Sequence, residues 1–276
     1  MRALLIPVLT IVLSTPALAG TEPPRPLRFA FRPGETLTYA IRQEVSFPGK
    51  DGGYTASLEG QCTFGVKRVR PDGQAEIEVT ASGRGTLGSG TEAVPFDTEA
   101  PQPITLLVAP TGVVSEIRDA AGKKSSLITD DGEDLLNASR LLRSHACGTY
   151  TLFGLQLPNK PVADGKAWNG VHRSETARFE GDAADLDPRK ATVTLTSRAV
   201  RFTSTGTDTV QGRPCRVITC ASALHLDQPG VQQDLPGKYW FDDQSGQLLK
   251  AEIQAKDLGE RKGRVSYTVT LVSRGT

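Results

Sequence analysis

The chain has 276 residues, with 32 Lys and Arg against 31 Asp and Glu, for a formal charge of +1. That near-neutral balance, with basic residues spread along the chain, argues against a polyanionic partner such as nucleic acid. A hydrophobic content of 38% over this length excludes a disordered chain and provides for a sizeable core, while 28 Gly and 18 Pro suit a fold rich in turns.

Arg2 opens the chain, Ala3 to Leu13 is an apolar stretch, and Ala17-Leu18-Ala19 has the small-x-small form read by signal peptidase. Residues 1–19 are therefore expected to be a secretory signal peptide, too short for a permanent membrane helix, leaving 20–276 as one β-rich domain. Leu18-Ala19-Gly20-Thr21 lacks the cysteine a lipobox requires, so an exported protein without a lipid anchor is expected, periplasmic or extracellular. No later run reaches the ~18 apolar residues of a membrane helix.

Period-two alternation then dominates. From Thr36 to Phe47, Leu37, Tyr39, Ile41, Val45 and Phe47 share one face, with Gln43 the polar intruder. Tyr54 to Val66 repeats the pattern, Pro71-Asp72-Gly73 turns the chain, and Ala75 to Ala81 alternates again. These read as half-buried antiparallel strands. Gly83 to Gly88 fits GxGxxG, but no helical period follows to offer an N-terminus to a pyrophosphate, so it reads as a glycine-rich hairpin end. Ile104–Val108 and Val113–Ile117 flank the Ala109-Pro110-Thr111-Gly112 turn. Asp134 to Ala146 spaces Leu135, Leu136, Leu141 and Leu142 helically, with acidic residues at its start and Gly148 to end it. Strands resume at roughly 167–180, 190–204, 213–226, 237–243, 247–257 and 264–273.

The predicted class is mainly β: one large curved, half-barrel-like antiparallel sheet, or two packed β lobes over about 27–120 and 162–276, with a short helical insertion near 130–155. The two halves echo each other in sequence. Gly34-Glu35-Thr36-Leu37 matches Gly165-Lys166-Ala167-Trp168, and Thr111-Gly112 matches Ser245-Gly246.

Four cysteines, Cys62, Cys147, Cys215 and Cys220, in an exported chain suggest disulfides. Cys215 and Cys220, if on one strand, lie roughly 17 Å apart and on opposite faces. If all four pair, each of Cys62 and Cys147 must therefore take one of those two. CxxC and HxxxH spacings are absent, so no metal site and no cofactor are expected. His145, His172 and His225 are scattered, and each reads as structural or as surface. His145 sits at the helix end, where a cation suits the dipole. Asp242-Asp243 reads as turn chemistry. Tyr239-Trp240-Phe241 puts rings on both faces of one strand, which makes them, with Trp168, the candidate ligand contacts.

Trp240-Phe241-Asp242-Asp243-Gln244-Ser245-Gly246-Gln247-Leu248-Leu249-Lys250-Ala251-Glu252 resembles a strand–turn–strand of exported bacterial β proteins, including the outer-membrane lipoprotein carriers. Leu157-Pro158-Asn159-Lys160-Pro161-Val162, followed by Gly165 and Trp168, resembles a segment of other uncharacterised exported families. In the carriers a curved sheet wraps helices and holds lipid chains, and this chain has fewer helices to do so. The functional expectation is a non-enzymatic exported protein that binds a hydrophobic small molecule or an envelope component. A structural or protein-interaction module of the bacterial envelope is the alternative, and an unrecognised hydrolase using Asp242 or a histidine is a second.

Overall fold

The computed structural model describes residues 26–49, 53–89, 92–97, 102–127, 137–148, 150–178, 192–228, 231–260 and 262–275. The expected signal peptide lies outside them.

The described strands are β1 (Thr36–Phe47), β2 (Tyr54–Val69), β3 (Ala75–Ser89), β4 (Glu92–Asp97), β5 (Ile104–Val108), β6 (Val114–Arg118), β7 (Ala167–Arg178), β8 (Thr192–Val210), β9 (Arg213–Gln228), β10 (Val231–Asp242), β11 (Gln247–Leu258) and β12 (Gly263–Gly275). One helix, α1 (Ala138–Cys147), interrupts them. The strands make a single open antiparallel sheet in the order β6-β5-β3-β2-β1-β12-β11-β10-β9-β8-β7, with β4 paired to β3. The halves are not separate lobes. β1 pairs with β12 from Thr36 to Ser46, which makes the sheet continuous.

Alternation decides the two faces. Leu37, Tyr39 and Ile41 of β1 and Val265, Tyr267, Val269 and Leu271 of β12 are buried on the inner face. The outer face carries threonine pairs and ion pairs such as Thr38–Thr63 and Lys67–Glu78. The sheet curls: Gln43 of β1 and His172 of β7 line one cavity. Six strand spacings separate β1 from β7, about 29 Å if the sheet were flat.

The glycine run after Ala81 forms the end of β3 that pairs with β4 in a hairpin, from Arg84 opposite Asp97 to Ser89 opposite Glu92. It lies within β3, which continues to Ser89. Its purpose is close approach: a Cβ on Gly60 or Gly83 would meet Leu142 Cδ1 at 2.4 or 2.7 Å. Glycine at this facing pair lets α1 settle onto β2 and β3, with Leu142 fully buried. The helix start differs from expectation. Asn137 is the N-cap, its Oδ1 accepting from the Ser139 and Arg140 amides at 2.9 and 3.4 Å, and no acidic residue lies in the first turn. Leu135 and Leu136 lie outside the described residues.

Past the helix, residues 150–157 run over the β5–β6 turn. Val114 N donates to Tyr150 O at 2.6 Å and Leu152 N to Gly112 O at 2.9 Å. The N-terminal segment crosses nearby, with Phe29 N donating to Pro110 O (2.7 Å) and Ala30 N to Gly246 O (3.0 Å). This strap ties the two echoing turns together. Phe29 meets the edge of Phe241 at 5.3 Å, and Phe153 lies 4.7 Å from Tyr39 and 5.6 Å from Phe64. One end of the inner face is thereby filled. The space left among Phe29, Tyr39, Phe64 and Phe153 is only about 10 Å³, about the room one water needs.

All four cysteines are buried free thiols. The pairing of Cys62 and Cys147 with the β9 cysteines does not occur. Because α1 lies on β2, Cys62 Sγ donates to Leu142 O at 3.3 Å, and Cys147, at the end of the same helix, is near enough to raise the Cys62 thiol further after burial has done so. Cys147 Sγ donates to Arg143 O at 2.9 Å.

Candidate functional site: a chamber on the inner face

The other end of the inner face is open. There a chamber of about 530 Å³ lies between the sheet, from β7 across to β1, and Ser144, His145, Gly148, Phe153 and Gly154. Its size falls in the range of small-molecule sites. The deep wall is made by Phe153, His172, Ala223, Ile253, Val265 and Tyr267, all buried. The mouth is polar and exposed, with Ser174, Thr196, Ser197 and His225 around it. Strand alternation creates this wall: Ile253 faces Tyr267 across β11 and β12, and Tyr267 faces Gln43 across β12 and β1.

All three histidines line the chamber, although the sequence scatters them. His172 sits opposite Arg198 in the β7–β8 register and is 3% exposed. Burial pulls its pKa down to about 4, the Gly154 backbone acts in the opposite direction, and the Arg198 charge adds to the lowering. Despite that proximity, neither ring nitrogen completes a hydrogen bond. The Gly154 carbonyl already accepts from the Tyr239 hydroxyl at 3.2 Å. His145 corrects an expectation: instead of a cation at the helix end, it is a desolvated ring 5.0 Å from Tyr267, its pKa lowered to about 4 by burial. His225 Nδ1 lies 2.8 Å from Asp234 Oδ1.

The charged groups around the chamber hold one another. Arg198 pairs with Asp234 and donates to Ser222 O at 3.1 Å. Glu175 accepts from Ser126 Oγ at 2.5 Å and from the Tyr150 hydroxyl, a contact that joins with burial, the larger cause, in raising the phenol's pKa.

The four aromatic residues singled out in the sequence do not line the chamber. Tyr239 and Phe241 are fully buried in the core. Trp240 points to the outer face, where Lys238 and Lys250 lie 4.5 and 4.8 Å from its ring and its Nε1 donates to Asp208 at 2.9 Å. Trp168 stacks on Phe202 at 5.7 Å and donates to Gln156 O at 2.9 Å. The two-faced triplet is thus a strand covered on both sides. Asp242 organises the β10–β11 turn, taking the Gln244 and Ser245 amides at 2.9 and 3.2 Å and pairing with Arg213 at 3.1 Å. Among the described residues no group of His, Cys, Asp and Glu is arranged to hold a metal. Among the same residues no helix is long and apolar enough to cross a membrane.

No family model matches the chain, and no curated protein does. Several solved structures align with most of this chain. A lipovitellin structure described by its lipid–protein interactions aligns with 89% of this chain at 11% identity and a TM-score of 0.45. This chain spans only 26% of the lipovitellin chain. The hypothetical lipoprotein YmcC from Escherichia coli K12 aligns over 85% of this chain and 87% of its own at 13% identity, TM-score 0.27. A DUF1329 family protein from Desulfovibrio piger aligns over 88% and 85% at 10% identity, TM-score 0.21. At these scores the likenesses bear on neither ligand nor activity.

Proposed function

We propose that the chain is an exported, non-enzymatic binding protein that holds an amphiphilic, largely apolar ligand in the chamber. The observation that carries this reading is the gradient along the chamber wall. Phe153, Ile253, Val265 and Tyr267 offer apolar surface at depth, and the mouth is hydroxylated and charged. Such a wall stabilises a ligand with an apolar body and a polar part, since the body gains about 25 cal/mol for each Å² it removes from water. The signal-peptide pattern of residues 1–19 supports export. The non-catalytic reading is supported by the contacts of the acidic groups: Glu175 is tied to Tyr150 and Ser126, and Asp234 to Arg198 and His225.

The test is native mass spectrometry of the mature protein, recovered from an oxidising compartment, before and after organic extraction. A discrete mass lost on extraction is expected. The extracted protein should then bind N-phenyl-1-naphthylamine saturably, and Ala223→Trp, which fills the deep wall, should abolish that binding. A ligand-free mass together with no saturable binding overturns the reading.

A further inference from the structure

Four buried side-chain atoms lack a hydrogen-bond partner among the described residues: Glu35 Oε2, Gln247 Oε1 and both ring nitrogens of His172. Only His172 belongs to the chamber wall. A buried imidazole with neither nitrogen satisfied is costly unless something occupies its polar positions. The ring is held in place, with the edge of Phe202 at 5.7 Å and the strand register fixing it opposite Arg198. Burial keeps it neutral at ordinary pH. A neutral imidazole presents one N–H donor and one bare acceptor nitrogen.

We infer that the chamber selects an amphiphile with an uncharged hydroxylated headgroup, such as a glycerol monoester, and that His172 reads that headgroup. This rests on the chamber being the ligand site. The chemistry follows from what each head can offer. A hydroxylated head both donates and accepts, so a single hydroxyl can pair with either ring nitrogen, whichever it reaches. A carboxylate only accepts, so it leaves the bare nitrogen unserved, and it stands near the carboxylates of Glu175 and Asp234. An ammonium only donates, so it leaves the imidazole N–H unserved. Arg198 is not free to receive an anion, because Asp234 and the Ser222 carbonyl already hold it.

The test uses the extracted mature protein at about pH 8, where the acid and the amine probes are both ionised. Monomyristoylglycerol, myristate and tetradecylamine, of equal chain length, compete against N-phenyl-1-naphthylamine. Monomyristoylglycerol is expected to bind about tenfold tighter than the other two. His172→Phe should remove the ranking while leaving all three able to displace the reporter, and His172→Gln, which keeps a donor and an acceptor, should retain it. If the wild type ranks the three equally, or if His172→Phe keeps the ranking, the headgroup inference is overturned while the chamber stands. If the reporter does not bind at all, the underlying ligand-site reading fails instead. Should His172→Phe not fold, the wild-type ranking and the Gln variant decide alone.

Discussion

Acidification from pH 7 to 4.5 should destabilise this fold through two histidines. His145 and His172 both take a proton near 6.5 when unfolded and only near pH 4 when folded. Between those values the unfolded chain binds more protons, so stability is full above about 6.5 and is lost as pH falls toward 4. The displacement corresponds to about 3 kcal/mol for a fully desolvated ring. His172, 3% exposed, should show most of that. His145 retains some contact with solvent and should show about half. The expected loss is therefore about 4 kcal/mol, or about 1–2 M in urea midpoint for a chain of this size. Asp242 does not confuse the window. Burial alone would push Asp242 up, but Ser245 and Arg213 hold it below its ordinary 3.8, so its loss comes at lower pH. Urea titrations at half-unit steps, followed by tryptophan fluorescence, measure the midpoint. His172→Phe should remove more than half of the fall. A midpoint unchanged from pH 7 to 4.5, or a His172→Phe variant that falls as steeply as wild type, refutes the reasoning.

Three further outcomes follow from the packing. Gly83→Val should lower Tm by about 5–10 °C, because the new Cβ meets the Glu59 carbonyl at 2.4 Å and Gly60 Cα at 2.7 Å, and backbone cannot swing away as Leu142 can; calorimetry checks it. Glu35 is 1% exposed and takes Arg274 Nε at 2.5 Å and Gln247 Nε2 at 2.9 Å, so Glu35→Ala should cost about 3 kcal/mol in urea unfolding by stranding both partners. Trp240→Phe should cost about 1–2 kcal/mol through the lost Asp208 bond and weaker lysine contacts, yet leave reporter binding in the chamber unchanged.

The strands were legible because burial on one face writes a period of two into the sequence, and Leu37-Tyr39-Ile41 and Val265-Tyr267-Val269 carry it plainly. The purpose of the glycine run was not. Gly83 and Gly85 look like a breaker until the helix that needs Gly83 bare is in view. The aromatic candidates lie away from the chamber: Trp240 is covered by two lysine stems and an aspartate, partners that look like solvent-facing residues when read as letters. The chamber was illegible because it is made by register. Residues 145, 172 and 225 converge only after strands fold back across the sheet. The available signal was His172 at an inward position of an alternating strand, a polar residue where an apolar one was due.

The two halves place the same devices at matching points, and the difference between them locates the chamber. In the first half Gly34 N donates to Val66 O, Val66 N to Glu35 O, and a bulge follows between Val66 and Arg68. In the second, Gly165 N donates to Ser204 O, Ser204 N to Lys166 O, and a bulge follows between Ser204 and Gly206. The hairpins β5–β6 and β10–β11 each carry a register shift before a glycine turn, at Leu107/Val108 and at Trp240/Phe241. Counting back from these anchors sets Ile41 against His172 and Gly60 against Arg198, and each pair faces across its own strands. The first half spends these positions on a seat for Leu142: an isoleucine beside two glycines, with α1 lowered onto them. The second half has a buried histidine and an arginine there instead. No side chain like Leu142 could close on that seat without stranding His172 and Arg198 in an apolar contact. The same architectural plan is thus filled by a helix on one side and left open on the other, and polar residues hold it open.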